Sequence, residues 1–349
     1  MVDWSLARQV ARFAVRTDGR PDLGIDLRAL ARELEPEVAA CTQLEPSTPV
    51  PEAELVTREE WVGVNLDALS ALLDPVATRL DDRLGFAGPL AGALRVGAGA
   101  TLAAEAGLVM GYVAQRVLGQ YEISLLQPDS PARLLLVGPN LEHAERELRV
   151  DRTSFITWIV AHELTHAFQF QSVPWLRGYL GDLLRRYLET VDVRIERGTA
   201  GGLPMLPEPS KLVERFREGG LAALVQTREQ RKLMAEMQAA MSVVEGYSEY
   251  VMDLLGAELL PDWRELREAM DRRRRSRSAP ERIIERLLGL DLKMRQYEVG
   301  RGFCESVAER AGIETLNRVW DSKGALPTSS ELSHPDAWIE RTAPAATAV

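Results

Sequence analysis

His162 and His166, four residues apart with Glu163 between them, are the residues of this chain whose types and spacing could do chemistry together. On an α-helix such positions lie one above the other, so the pair can aim two imidazoles at one ion. Glu163 then sits one step around, beside an open coordination position, where a carboxylate can take a proton from water. The flanking Phe155, Ile156, Trp158, Ile159, Val160, Leu164, Phe168 and Phe170 are apolar almost all round, which predicts a buried helix. Desolvating two imidazoles and a carboxylate is expensive unless a divalent cation pairs with them, and these donors suit zinc. The rival reading is two core histidines hydrogen-bonded to neighbours. With four histidines in 349 residues, chance placement of the motif is a weak competitor.

A catalytic zinc site needs a third protein ligand and leaves a fourth position open. His143 and His334 each stand alone in polar surroundings, which turns the search to carboxylates. Glu245 is the preferred candidate: Met234, Met237, Met241 and Val244 mark a core-facing stripe with Glu245 at its edge. Gly246 beside it would let another backbone or an ion come close. Glu249 and Asp253 follow at successive i+4 steps, so three acids stack on one helix face. Their repulsion is relieved if Glu245 binds the cation and Glu249 or Asp253 accepts a hydrogen bond from a ligand histidine. Glu249, Glu189 and Asp192 stay open as alternative ligands.

The elements that must hold these groups read as mostly helical. Residues 5–40 predict helices with a turn at 19–24, followed by a connection containing Pro46, Pro49 and Pro51. Helical texture returns over 57–82, and Thr57-Arg58-Glu59-Glu60 resembles a capped start. Residues 86–118 are rich in Gly, Ala, Leu and Val, but Arg95, Glu105 and Arg116 interrupt them, which predicts a closely packed internal helix and no membrane span. Two strands, 121–126 and 133–137, are expected around a turn at 127–131, and one could offer its edge to an extended peptide. The metal helix is expected to start near 151–154 and to end before Pro174. A helix over 176–198, a Gly/Pro-rich loop over 198–209 and further helices follow, with a frayed tail at 343–349.

The net charge of -10 argues against a nucleic-acid partner. Hydrophobic content of 46% with 27% charged residues is that of a soluble globular protein. Cys41 and Cys304 are far apart and lack thiolate metal-site spacing, so they read as buried thiols in a reducing compartment. No basic segment followed by an apolar run opens the chain, and the expectation is a cytoplasmic protein. Arg272 to Arg275 with Arg277 form the one strong basic cluster, expected to be a solvated face.

His162-Glu163-Leu164-Thr165-His166, then Glu245-Gly246 followed by Val251-Met252-Asp253, then Leu290-Asp291-Leu292-Lys293-Met294-Arg295-Gln296-Tyr297, resemble a largely actinobacterial family of zincin-like metallopeptidases. Some of its members are labelled coenzyme F-420 biosynthesis-associated. The resemblance extends from Asp3-Trp4 to Ala337-Trp338 and implies a mainly α (α+β) fold, with the buried helix preceded by a small β-hairpin or sheet. It implies one zincin-like domain over 1–342, with parts at 1–85, 86–255 and 256–342, zinc on His162 and His166, and Glu163 as catalytic base. Position 247, often His in the family, is Tyr here. The expected chemistry is hydrolysis of a peptide or small amide through a zinc-activated water, with Tyr247, Tyr297 and His334 as candidate oxyanion donors. Two rival functions are a non-catalytic zincin-fold binding protein linked to deazaflavin coenzyme metabolism, and a small-molecule amidohydrolase. Nothing in the sequence fixes the oligomeric state.

Overall fold

Several helices of this chain begin where capping side chains stand. A computed structural model describes residues 2–15, 19–84, 91–125, 130–190, 227–275 and 290–343. Asp26 caps α2 (Leu27–Thr42) by accepting from the Arg28 and Ala29 backbone N–H groups. Thr57 and Glu60 exchange side-chain-to-backbone bonds at the start of α3 (Arg58–Leu84), as the sequence predicted. Asp151 accepts from Ser154 N at 2.8 Å to open α6 (Arg152–Ser172), and Pro174 follows its end.

The described chain divides into two compact units that alternate along the sequence. The first takes in the described parts of Met1–Ile25 and Ala53–Glu147. It holds α1 (Trp4–Val15), α3, α4 (Ala91–Ala114), α5 (Gly138–Leu148) and a three-stranded sheet of order β1-β3-β2. The strand expected at 133–137 is β3 (Arg133–Val137), and its antiparallel partner, expected at 121–126, is the earlier β2 (Gly119–Glu122). Sequence reading missed β1 (Ala53–Val56), a four-residue strand parallel to β3. The central β3 carries Leu134, Leu135, Leu136 and Val137, all fully buried, a continuous apolar run of the kind a strand covered on both faces needs.

The Gly/Ala-rich segment forms α4. A methyl at Gly107 would meet Ala7 O and Val10, and one at Gly111 would meet Ala14 and Ala11, so small residues on both helices let α1 and α4 approach closely. Among the described residues no helix is long and apolar enough to cross a membrane.

The second unit takes in the described parts of Asp26–Glu52, Leu148–Thr190 and Glu214–Val349. It holds α2, α6, α7 (Pro174–Thr190), α8 (Arg228–Leu259), α9 (Trp263–Arg275), α10 (Leu290–Asn317), α11 (Ser329–Leu332) and α12 (Pro335–Thr342). Helix α10 is broken at Gly312, whose φ is 81°. Helices α6 and α8 run in opposite directions: Trp158 lies against Gly256, His166 against Glu245, and Gln169 against Val244.

Backbone touches backbone where α8 crosses α10. A Cβ added at Gly246 would fall on Gly300 and Arg301, and one added at Gly300 would fall on Ser242. No side chain could yield there, because the colliding atoms are main chain. This contact fixes α8 next to Glu245. Gly246→Ala is expected to lower the unfolding free energy by about 2 kcal/mol or more, an overpacking effect at the upper end of its usual range. Gly178→Ala in α7, with nothing within 4 Å of the added carbon, should leave stability unchanged or raise it slightly. Urea denaturation of the two variants beside wild type checks both.

Candidate metal centre

Helix α6 is buried along nearly its whole length, from Ser154 to Gln169, with His162 and His166 only partly covered. Their rings stack edge to face with centroids 4.8 Å apart, the contact expected of an i, i+4 pair. From α8, the buried Glu245 brings Oε2 to 3.6 Å from His166 Nε2. One ligand-type atom from each of His162, His166 and Glu245 lies within 4.8 Å of the others, the one such grouping among the described residues. Two imidazoles and a carboxylate converging at that spacing, in a helix-packed interior, fit a zinc ion by donor type and number.

The orientation of His166 follows from a chain of hydrogen bonds. Gln169, fully buried one turn further along α6, donates from Nε2 to Val244 O at 2.8 Å, which fixes its amide and turns Oε1 back as an acceptor. His166 Nδ1 lies 2.9 Å from that oxygen, so Nδ1 carries a proton and Nε2, turned towards Glu245, is the nitrogen that can offer a lone pair once its own proton is lost. Ser248 on α8 packs into the same corner, 3.2 Å from Nδ1. The helper expected here was Glu249 or Asp253. Neither does this work among the described contacts: Gln169, reachable from sequence as a polar residue at i+3 within an apolar run, takes the role.

Glu249 is instead buried to 1% and held by two guanidinium groups, Arg267 Nη1 at 2.6 Å and Arg274 Nη2. Burial would raise its pKa, but Arg274 and Arg267 outweigh that and pull it down to about 2. Asp253 lies 2.9 Å from Arg301 and 3.5 Å from Arg267, and burial leaves its pKa raised. Glu189, a further carboxylate considered as a ligand, is exposed; Asp192 falls outside the described residues, as does the 198–209 loop. Arg274 belongs to the basic run expected to be solvated. Arg272 fits that expectation, at 3.7 Å from Glu268 on the surface, while Arg274 turns inward. Arg277 falls outside the described residues.

The candidate oxyanion donors fare differently. Tyr247 is fully buried, with its hydroxyl 2.8 Å from Asn317 Oδ1 and 3.0 Å from Thr42 O, and its ring edge-on to Trp320. That hydroxyl ties α8 to α2 and α10, and burial pushes its pKa well above the usual phenol range, so the geometry makes it an anchor and gives no support to an oxyanion role. His334 stands exposed at the start of α12, 2.9 Å from Ser330 O, and is not part of the ligand grouping. The Tyr297 side chain lies outside the described residues. Glu163 is buried at 7% exposure, and its charge is felt at His166.

The chain matches the zincin-like metallopeptidase family over residues 2–339 and belongs to it. A crystal structure from Chloroflexus aurantiacus, described as a candidate hydrolase with a novel fold, is 28% identical, covers 98% of each chain and superposes with a TM-score of 0.71. No curated protein matches.

The two histidines are charged differently. Burial and the neighbouring His166 push the His162 pKa down to about 4. For His166 burial acts the same way, but the Glu245 carboxylate against it and the Glu163 charge outweigh it and raise the value to about 9. Near neutral pH, therefore, His162 is already neutral and His166 must lose a proton to bind a cation. Zinc binding at pH 7 is expected to release about one proton from the pair, and zinc affinity to climb about tenfold per pH unit until the pH reaches the His166 value. Calorimetric titration in two buffers of different ionisation enthalpy, repeated from pH 6 to 9, measures both.

Proposed function

We propose that this protein is a zinc-dependent hydrolase of peptide or related amide bonds, with His162, His166 and Glu245 holding the ion and Glu163 as general base. The observation that carries the reading is the convergence within 4.8 Å of His162 and His166, on the helix that also carries Glu163, with Glu245 from α8. Family membership and the likeness to a candidate hydrolase support it. Bound zinc would supply Lewis acidity, activating water and polarising a carbonyl.

The chain's own groups do the rest. Gln169 and Ser248 hold His166 in the tautomer that leaves Nε2 for the ion. Glu163, adjacent to the first ligand on a helix and largely shielded from solvent, takes the proton of the attacking water and returns it to the leaving amine. A carboxylate in that place has little use in a protein that only binds.

The test is Glu163→Gln. Both proteins, loaded with zinc, are incubated with a peptide library and with a set of N-acyl amino acids, and products are followed by mass spectrometry. The variant should hold about one zinc per chain yet lose roughly a hundredfold or more of the hydrolysis rate, the usual contribution of a positioned base. Undiminished hydrolysis in the variant would refute the assignment of Glu163. Zinc-loaded wild type that cleaves neither class would refute the hydrolase reading.

A further inference from the structure

Helix α8 carries a second buried carboxylate one turn beyond Glu245. Glu249 follows Glu245 by one helical turn on the same face. Because α6 and α8 run in opposite directions with His166 against Glu245 and Trp158 against Gly256, Glu249 falls at the level of His162. Its charge acts on His162 more strongly than that of Glu245 does. A carboxylate so placed is a fourth ligand in waiting, and a site with four protein ligands is closed, as structural zinc sites are.

Two arginines from α9 hold it elsewhere. Arg267, 7% exposed, binds one Glu249 oxygen at 2.6 Å, is flanked by Asp253 and Asp271, and lies over the Trp158 ring at 5.8 Å. Arg274 binds the other oxygen from the end of α9. Charge-assisted bonds to both oxygens compete directly with coordination.

We infer that Arg267 and Arg274 are positioning residues that keep Glu249 off the metal, so that three protein ligands leave one position open; this rests on the metal-centre reading above. Without Arg274, one oxygen of a buried carboxylate loses its counter-charge, and a cation at the neighbouring cluster is the partner left for it.

The experiment uses full-length protein with cobalt(II) in place of zinc, titrated with acetohydroxamate while the visible spectrum is followed. Wild type should show a saturable spectral change as the hydroxamate enters the open position. Arg274→Gln should need at least about tenfold more hydroxamate, the scale on which groups behind metal ligands act, and should release zinc to a chelator more slowly. Arg274→Gln combined with Glu249→Gln should titrate like wild type, a rescue that a merely structural arginine would not give. Arg274→Lys, which keeps the charge on a single attachment, should fall between and serves if the glutamine variant does not fold. Wild-type hydroxamate affinity in the Arg274 variants would overturn the clamp while leaving the metal centre standing. Wild type that takes up no cobalt would overturn the metal-centre reading, and the clamp with it.

Discussion

His166 and Glu245 face each other at 3.6 Å across two antiparallel helices, and the arrangement of the second unit depends on that contact being possible. An imidazole and a carboxylate this well buried are unfavourable alone and tolerable together. In the absence of a metal the pair is satisfied by protonation of the imidazole, which the facing carboxylate favours, and the His166 pKa stands at about 9. A divalent cation can take the proton's place without any change in which groups converge. The neutral His162 one turn away is ready as it stands, pushed down to about 4 by burial and by its charged neighbour.

Holding Glu245 at that distance is a problem of helix placement, and glycine solves it. Helices normally pack about 8–10 Å apart, spaced by their side chains. At Gly246 and Gly300 no Cβ intervenes, so α8 is pressed against α10 beside Glu245. Tyr247, the next residue, adds the bond to Asn317 and the contact with Thr42. Residues 245 to 249 of α8 thus alternate between convergence and anchorage: Glu245 in the cluster with His162 and His166, Gly246 and Tyr247 fixing the helix, Ser248 behind His166, and Glu249 held by Arg267 and Arg274.

Much of this was legible in the sequence because it is written in local spacing. The i, i+4 histidines, the apolar frame around them and the Thr57 and Asp151 caps depend on neighbours a few residues away. Gly246 announced a close approach without saying to what; Gly300, fifty-four positions on, could be matched to it only in three dimensions. The same limit hid β1, four residues whose strand character comes from pairing with β3. Two contacts also lay beyond it. The stack Glu245, Glu249 and Asp253 was visible, but its repulsion is relieved by Arg267 and Arg274, which a charge run in sequence gives no reason to turn inward. Tyr247 drew notice through its position beside a ligand, whereas its hydroxyl points to partners on α2 and α10.

The central claim is that His162, His166 and Glu245 together bind one zinc ion. Zinc K-edge X-ray absorption on protein carrying one equivalent of zinc, wild type beside Glu245→Ala, tests it most directly. Two imidazoles with oxygen donors and no sulfur in wild type, with one oxygen donor lost or replaced by water and affinity sharply reduced in the variant, is the predicted result. A sulfur neighbour, a single imidazole, or an unchanged site in Glu245→Ala would contradict it.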